Sequence, residues 1–190
     1  IDENRRIINQ HRTVLGLSKI SYTHLIGWAI VKSLETVPSL NSSYTENNGE
    51  AFKVVRNHIN LGLAIDLPSR DGGRSLVVPS IKNAGSMNFA EFLKSYDDLV
   101  ARGRKGKLTL PDFQGTTLSL TNPGTMGTVG SIPRLMPGQG CIIATGAMKP
   151  NCSEIAIICE AFQPVLELLP KPLPECSHLT PCMVTLCSSS

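Results

Sequence analysis

Hydroxyl side chains recur along one face of the segment "TTLSLTNPGTMG", residues 116–127. Thr117, Ser119 and Thr121 alternate with leucines, which is the two-residue period of a β-strand, and an Asn-Pro-Gly turn follows directly. A hydroxyl at the end of such a strand can donate a hydrogen bond to an oxygen that becomes negative during a reaction. It can equally bond its own turn, and the pattern alone favours that structural role.

The glycine-rich segment "GTMGTVG", residues 124–130, suggests a nucleotide-binding loop at first sight. A dinucleotide fingerprint has to open a helix, but Pro133 and Pro137 follow and block one. There is no Gly-Lys-Ser/Thr phosphate loop and no Gly-x-Ser-x-Gly nucleophile elbow in the sequence. The glycines are therefore predicted to give backbone access around a channel or at a tight interface.

The four histidines and six cysteines give a weak signal for catalysis or metal binding. No histidine lies near a patterned acid, and His24 falls in the first turn of a predicted helix, where a structural role is favoured. The sequence contains no Cys-x-x-Cys pair, and its tail cysteines are irregularly spaced: Cys152, Cys159, Cys176, Cys182 and Cys187. We predict no metal site, and the tail residues have no assigned role.

Two helices are predicted from apolar spacing. Residues 22–37 place Ile26, Ile30 and Leu34 on one stripe, and Pro38 ends the helix. Residues 89–102 carry a longer apolar stripe, preceded by an Asn-x-x-Glu capping box that begins at Asn88.

Strands are predicted around these helices. Residues 58–66 alternate apolar and small or polar side chains, and the small ones suggest close packing on the second face. A turn at 67–74 and a return strand at 75–81 make a hairpin, and further strands are expected at 116–121 and 140–147. The pattern predicts an α+β two-layer sandwich with helices on one face of a mixed sheet.

Composition limits the class of protein. The 190 residues are 41% hydrophobic and 17% charged, which is typical of a globular domain, and no apolar run is long enough for a membrane span. A formal net charge of +3 does not argue for a nucleic-acid partner. The polar start is not a signal peptide, and a first residue other than Met suggests a piece of a longer protein.

A change in composition divides the chain near residue 148. All 16 glycines precede it, while five of the six cysteines and six of the thirteen prolines follow it. A folded continuation would usually need turn glycines. We therefore predict a domain at 1–148, incomplete at both ends, and a divergent tail at 149–190.

Two long stretches resemble a known family. They are "NLGLAIDLPSRDGGRSLVVPSIKNA" and "GKLTLPDFQGTTLSLTNPGTMGTVGSIPRLMPGQGCIIATGAM". Both are similar to the catalytic domain of dihydrolipoyl acyltransferases from 2-oxoacid dehydrogenase complexes. "SYTHLIG", "TNPGTMGTV" and "PRLMPGQG" most resemble the acyltransferase-like domain fused ahead of the thiamine-diphosphate decarboxylase in single-chain 2-oxoglutarate dehydrogenase components. The resemblance covers about residues 1–148.

The resemblance implies a chloramphenicol-acetyltransferase-like fold assembled as homotrimers, with active sites between subunits. It implies transfer of an acyl group, succinyl in this subgroup, from a dihydrolipoyl arm to coenzyme A within the tricarboxylic acid cycle. Lipoyl domains and other subunits of the complex would be partners, with no nucleic acid and no membrane involved. Thiamine diphosphate and magnesium would matter only if a decarboxylase domain follows, and a bacterial-type cytoplasmic location is expected.

The resemblance assigns one catalytic residue. The family's hydroxyl donor to the oxyanion lies in the strand before the glycine turn, and Thr121 matches that position. The general base, a histidine in an Asp-His-Arg motif, should follow in the tail, but His178 lacks both neighbours of that motif and receives no role. Gly130 also stands where the fused subgroup is expected to have histidine. A catalytically inactive, trimerising scaffold is therefore the alternative function.

An out-of-frame tail would explain these departures. The codons for Cys182 to Thr185 are TGY-ATG-GTN-ACN, and reading from the third base can give Tyr-Gly-His, close to the family's Tyr-Asp-His. In this shifted frame the second codon is GGT, which can encode only Gly where the family has Asp, and this counts against the interpretation. Sequencing of the transcript across residues 148–190 tests it, because an unbroken frame with conventional codon usage would rule it out. As printed, the chain is expected to be poorly stable and inactive by itself.

Overall fold

The structure, a computed structural model, describes residues 1–68 and 72–147, and two further strands at 154–161 and 182–187. Its helices are α1 (Asp2–Val14), α2 (Tyr22–Thr36), α3 (Phe89–Arg104) and α4 (Leu110–Phe113). Its strands are β1 (Ser43–Asn47), β2 (Glu50–Val54), β3 (Leu61–Leu63), β4 (Ile65–Pro68), β5 (Arg74–Val77), β6 (Ser80–Ile81), β7 (Leu118–Thr121), β8 (Cys141–Thr145), β9 (Glu154–Ala161) and β10 (Cys182–Cys187).

A six-stranded mixed sheet forms the centre of the fold, in the order β10-β9-β8-β7-β3-β6. The pairs β3–β7 and β7–β8 are parallel, and the outer pairs are antiparallel. Two separate antiparallel ribbons, β1–β2 and β4–β5, stand beside it. The predicted mixed sheet is confirmed.

The core lies between one face of this sheet and helices α2 and α3. Its buried sheet residues include Leu61, Leu118 and Leu120, each at most 1% exposed, and its helix residues include Phe92. Gly27 lets α2 approach closely, since a Cβ there would lie 3.3 Å from Phe92 Cζ and 3.5 Å from both Leu61 and Leu120. The predicted two-layer α+β arrangement is confirmed.

Both predicted helices are present and begin at the predicted residues. α2 ends one residue earlier than predicted, and α3 ends two residues later. α2 ends at Thr36, before Pro38 opens a short 3₁₀ turn. α3 begins after Asn88, whose Oδ1 accepts from Glu91 N at 3.0 Å, while Glu91 Oε2 accepts from Asn88 N at 2.9 Å. This reciprocal cap is the one that the sequence predicts.

The strand predicted at 58–66 is wrong in two respects: it begins only at Leu61, and it divides at Ala64. β3 belongs to the central sheet, and Ala64 N still donates to Leu120 O at 2.9 Å. β7 ends one residue later at Thr121, so the chain beyond Ala64 has no neighbour in that sheet and pairs instead with β5. The return strand likewise divides at Val78–Pro79 into β5 and β6, because Pro79 lacks a backbone N–H. The predicted hairpin is present in both halves, because β3–β6 and β4–β5 continue one another in a single antiparallel register, from Leu61 opposite Ile81 to Pro68 opposite Arg74.

The helix α1 and the β1–β2 hairpin are among the elements that have no counterpart in the sequence predictions. α1 is a polar helix that Asn9 attaches to the fold: its side chain accepts from Ile20 N at 2.7 Å and donates to Ile20 O at 3.0 Å. The β1–β2 hairpin turns at Asn48–Gly49, both with positive φ. Asn-Gly between strands is a strong hairpin signal, so this element could have been predicted.

Two strands follow the boundary predicted at residue 148. β9 pairs with β8, and β10 pairs with β9, with Cys182 opposite Cys159 in the register. The remaining tail positions that the sequence singles out, Cys152, Cys176 and His178, lie outside the described residues. The division of the chain at 148 stays a prediction.

Candidate functional site

The three hydroxyl residues along β7 have different surroundings: two are buried and hydrogen-bonded, and the third lies at the end of the strand. Thr117, fully buried, accepts from Asn60 N at 3.1 Å through Oγ1. Ser119, 1% exposed, donates to the side-chain oxygen of Gln139 at 2.7 Å. Both hydroxyls therefore hold the sheet to neighbouring loops.

Thr121 differs from the other two hydroxyl residues of the row. It is the last residue of β7, half-buried, and its backbone pairs with Ala144 of β8. Among the residues that the structure describes, its hydroxyl has no recorded hydrogen-bond partner. Its hydroxyl is therefore not committed to a contact within that part of the chain.

The turn after Thr121 is held tightly against β8. Residues 123–126 form a 3₁₀ turn that ends at Gly127, whose φ of 83° favours glycine. A Cβ at Gly124 would lie 2.2 Å from Gly146 O, so this approach requires glycine. The interpretation of the run as a tight backbone interface holds at this position, and no helix follows it within residues 127–147.

A cavity of about 230 Å³ lies where α2 begins and β7 and β8 end. Its lining residues are Ser21, Tyr22, Thr23, Ile26, Asn122, Gly124, Thr125, Thr145 and Gly146. We call this the α2 cavity. Asn122 Nδ2 donates to Thr23 Oγ1 at 2.8 Å, and so ties the residue after Thr121 to the start of α2. Thr121 is next to this cavity in the chain but does not line it.

His24 lies beside the α2 cavity, where both of its ring nitrogens are engaged. Nδ1 accepts from Ser21 N at 3.0 Å and lies 2.7 Å from Ser21 Oγ, while Nε2 lies 3.0 Å from Asp97 Oδ1. Burial lowers the pKa of His24 below its usual value, although the hydrogen bond to Asp97 acts in the opposite direction. These contacts fit the structural role predicted for His24, as a helix cap that joins α2 to α3.

The other described histidines, His11 and His58, are exposed and are not among the residues lining the α2 cavity. Within the described ranges, no three His, Cys, Asp or Glu side chains come together as a metal site. None of the helices in those ranges is long and apolar enough to cross a membrane.

Comparison with known proteins identifies the family. Residues 2–158 match the model of the 2-oxoacid dehydrogenases acyltransferase (catalytic domain). The chain belongs to this acyltransferase family. The family resemblance of the sequence is thereby confirmed.

Curated relatives of this acyltransferase domain are much longer proteins. The chain is 53% identical over 147 residues to a multifunctional 2-oxoglutarate metabolism enzyme of Mycolicibacterium vanbaalenii. It is 54% identical over 146 residues to a 2-oxoglutarate dehydrogenase E1/E2 component of Corynebacterium glutamicum. Each match covers 77% of this chain and 12% of the relative, so the chain spans about an eighth of their length.

Solved structures of acyltransferases share the fold. A dihydrolipoamide acetyltransferase (E2p) of Azotobacter vinelandii superposes with a TM-score of 0.67 at 22% identity, over 80% of this chain and 60% of the other. A truncated catalytic core of the 2-oxoacid dehydrogenase multienzyme complex of Thermoplasma acidophilum gives 0.59 at 28% identity, over 69% and 58%. The acyltransferase fold predicted from the sequence is confirmed.

Proposed function

We propose that this chain is the acyltransferase part of a 2-oxoglutarate dehydrogenase complex and serves transfer of succinyl from a dihydrolipoyl arm to coenzyme A. The family match over residues 2–158 is the observation that carries this proposal. The names of the curated relatives, both concerned with 2-oxoglutarate, support the choice of complex and of acyl group. Thiamine diphosphate and magnesium belong to the proposal only where a decarboxylase domain follows.

Thr121 is the proposed donor to the oxyanion. The thiol of coenzyme A gives its proton to a general base from another chain and attacks the acyl carbonyl, whose oxygen becomes negative in the tetrahedral intermediate. Collapse of this intermediate breaks the bond to the dihydrolipoyl sulfur, which leaves and takes up that proton. The half-buried hydroxyl at the end of β7, next to a turn that Gly124 fixes in place, can donate to that oxygen. Because the donor is positioned before the reaction, it stabilises the transition state without reorganisation.

A second candidate function is a trimerising scaffold without catalysis. The observation that favours it is in the sequence, which contains no Asp-His-Arg motif to supply the general base. In both cases the proposed assembly is a homotrimer within a larger complex that also contains lipoyl domains.

Subunit mixing distinguishes the two functions. The chain is combined with a family member that carries the Asp-His-Arg motif but lacks its own strand-end hydroxyl, and succinyl transfer to coenzyme A is measured. We expect neither protein to turn over alone, and mixed oligomers to be active because the two halves of the site come from different subunits. Mixed oligomers without turnover would favour the scaffold. Turnover by the chain alone would contradict the expected dependence on an external base.

A further inference from the structure

The α2 cavity is lined by polar side chains, and nearly all of them bond within the protein. Thr23 Oγ1 accepts from Asn122, Thr125 Oγ1 donates to Asn122 O at 3.1 Å, and Ser21 Oγ lies against the His24 ring. Thr145 is the exception. It is 1% exposed, and its Oγ1 has no hydrogen-bond partner within the described residues.

Position explains why Thr145 lies under the cavity. Strand β8 alternates its faces, and Cys141 and Ile143 point into the core on the helix side. Thr145 shares that face and lies at the end of the strand, below the first turn of α2. A buried hydroxyl without a partner is unfavourable, and a bound polar group would remove that disadvantage.

The start of α2 supplies further donors. The first N–H groups of a helix have no carbonyl partner within it, and Tyr22 and Thr23 occupy these positions in α2. The aligned peptide dipoles place roughly half a positive charge at this end of the 15-residue helix. Tyr22 and Thr23, whose N–H groups have no carbonyl partner within the helix, line the α2 cavity, so these donors and the positive end of the helix lie beside it.

From these features we propose that the α2 cavity is a binding site for a small monocarboxylate group. The helix end and the Thr145 hydroxyl bind its oxygens, and Ile26 packs against its carbon chain. No Lys, Arg, Asp or Glu lines the cavity, so a phosphate dianion would be under-compensated and a cation would find no counter-charge. At about 230 Å³ the space suits a ligand of a few heavy atoms.

The carboxylate that binds in the α2 cavity can belong to either of two molecules. It is a free carboxylic acid, or it is the distal carboxylate of an acyl group that the domain transfers. The second source rests on the proposed function, whereas the site itself does not. Binding to the site is measured without turnover, so failure of the site and failure of the transferase are separate results.

The test is a titration of the full chain with sodium acetate, followed by methyl and amide NMR. We expect saturable shifts at Thr145 and in the first turn of α2, with a Kd on the order of 1–10 mM. Thr145→Val keeps the shape but removes the hydroxyl, and should weaken binding at least fivefold without unfolding the chain. Thr116→Val is the matched control, because Thr116 Oγ1 is also buried and unpartnered but lies outside the α2 cavity.

The remaining arms identify the ligand. Acetamide, the neutral analogue, should bind at least fivefold more weakly than acetate if the negative charge is recognised. Succinyl-dihydrolipoamide, compared with acetyl-dihydrolipoamide, tests the acyl carboxylate as the source. Absence of saturable shifts with acetate, equal affinity of Thr145→Val and the original chain, or equal binding of acetamide would each overturn the proposal.

Discussion

At the residue scale, three neighbouring hydroxyls of the same chemical type have different environments. Thr117 and Ser119 are buried in the sheet and their hydroxyls are hydrogen-bonded, while Thr121 is half-buried at the end of β7. The strand period places all three on one face, but where the partners lie depends on loops from distant parts of the sequence. Removing each hydroxyl should therefore have a different consequence.

Thr121→Val should lower succinyl transfer in the mixed oligomers by about 10²–10³-fold, since one preorganised oxyanion donor is lost. The rate under saturating substrates is the measurement, and Thr121→Ser, which keeps a hydroxyl, should retain most of it. Ser119→Ala is the structural comparison, expected to lower the melting temperature because Gln139 loses its partner. Equal rates for Thr121→Val and the original chain would remove Thr121 from the mechanism.

Gly62→Ala should destabilise the chain by about 1–3 kcal/mol through overpacking. A Cβ at position 62 would lie 2.6 Å from Ser119 Oγ and 2.8 Å from Thr116 Cγ2, so these side chains would have to shift. Urea unfolding of the variant measures this free energy. Gly73→Ala is the control, because a Cβ there meets nothing within 4 Å and should leave the unfolding free energy unchanged.

At the element scale, side-chain contacts join the helices to each other and to the loops. His24 links α2 with Asp97 of α3, and Arg102 of α3 binds Asp112 of α4 at 2.7 Å. Both contacts involve titratable groups, so the attachment of these helices should depend on pH.

Stability should decrease as pH falls below about 6.5, the usual pKa of histidine. Burial lowers the pKa of His24 in the folded chain, so in this range the unfolded chain binds the additional proton. The contribution of neutral His24 to the stability of the fold is therefore complete above pH 6.5, and it is lost as the pH falls towards the pKa of His24 in the folded chain. Melting temperatures at pH 7.5 and 5.5 measure the change. His24→Gln should reduce it, and the exposed His58→Gln should not.

Asp112→Asn should cost about 1–2 kcal/mol at neutral pH, because Arg102 and the Thr109 cap lose a charged acceptor. The hydrogen bond from Arg102 is the main cause that lowers the pKa of Asp112 from 3.8 to about 2. This stabilisation is present above pH 3.8 and disappears as pH falls through 2. Acid unfolding curves of the variant should therefore converge with those of the original chain at low pH.

Short sequence motifs predicted those helix boundaries that capping residues and prolines determine. The start of α3 follows from Asn88 and Glu91, and the end of α2 follows from Pro38, because capping and chain stiffness act within a few residues. The division of the strand at Ala64 could not be predicted in this way, since it depends on where β7 ends, more than fifty residues later. The position of Thr145 beneath α2, without a hydrogen-bond partner in the described ranges, likewise follows from tertiary packing alone.

At the scale of the whole molecule, the sheet extends beyond the region in which the family motifs are recognisable. β9 and β10 continue it past Thr145 by regular antiparallel pairing. Strand pairing through backbone hydrogen bonds is compatible with many side chains, so a sheet can continue where composition changes. The family model itself ends at residue 158, inside β9.

One of the segments that carry exposed apolar side chains runs from the last residue of the 3₁₀ turn to residue 136. Met126, Val129, Ile132 and Met136 are each at least half exposed, and Ile132 is 74% exposed. We propose that this segment is covered when subunits associate, because exposed apolar side chains that lie together mark interaction surfaces. If the proposed trimer forms, this segment is where we expect subunits to meet.

Ile132→Asp should therefore convert the proposed trimer to monomers, because a charge would be buried without a partner when subunits associate. Sedimentation equilibrium gives the mass, and the melting temperature of the dissociated variant tests whether the subunit itself stays folded. Leu110→Asp is the control, since Leu110 is similarly exposed at 71% but lies on α4, away from this segment. Loss of transfer in the mixed oligomers together with loss of the trimer would tie assembly to catalysis. An Ile132→Asp chain that keeps the mass of a trimer would place the subunit interface on another surface.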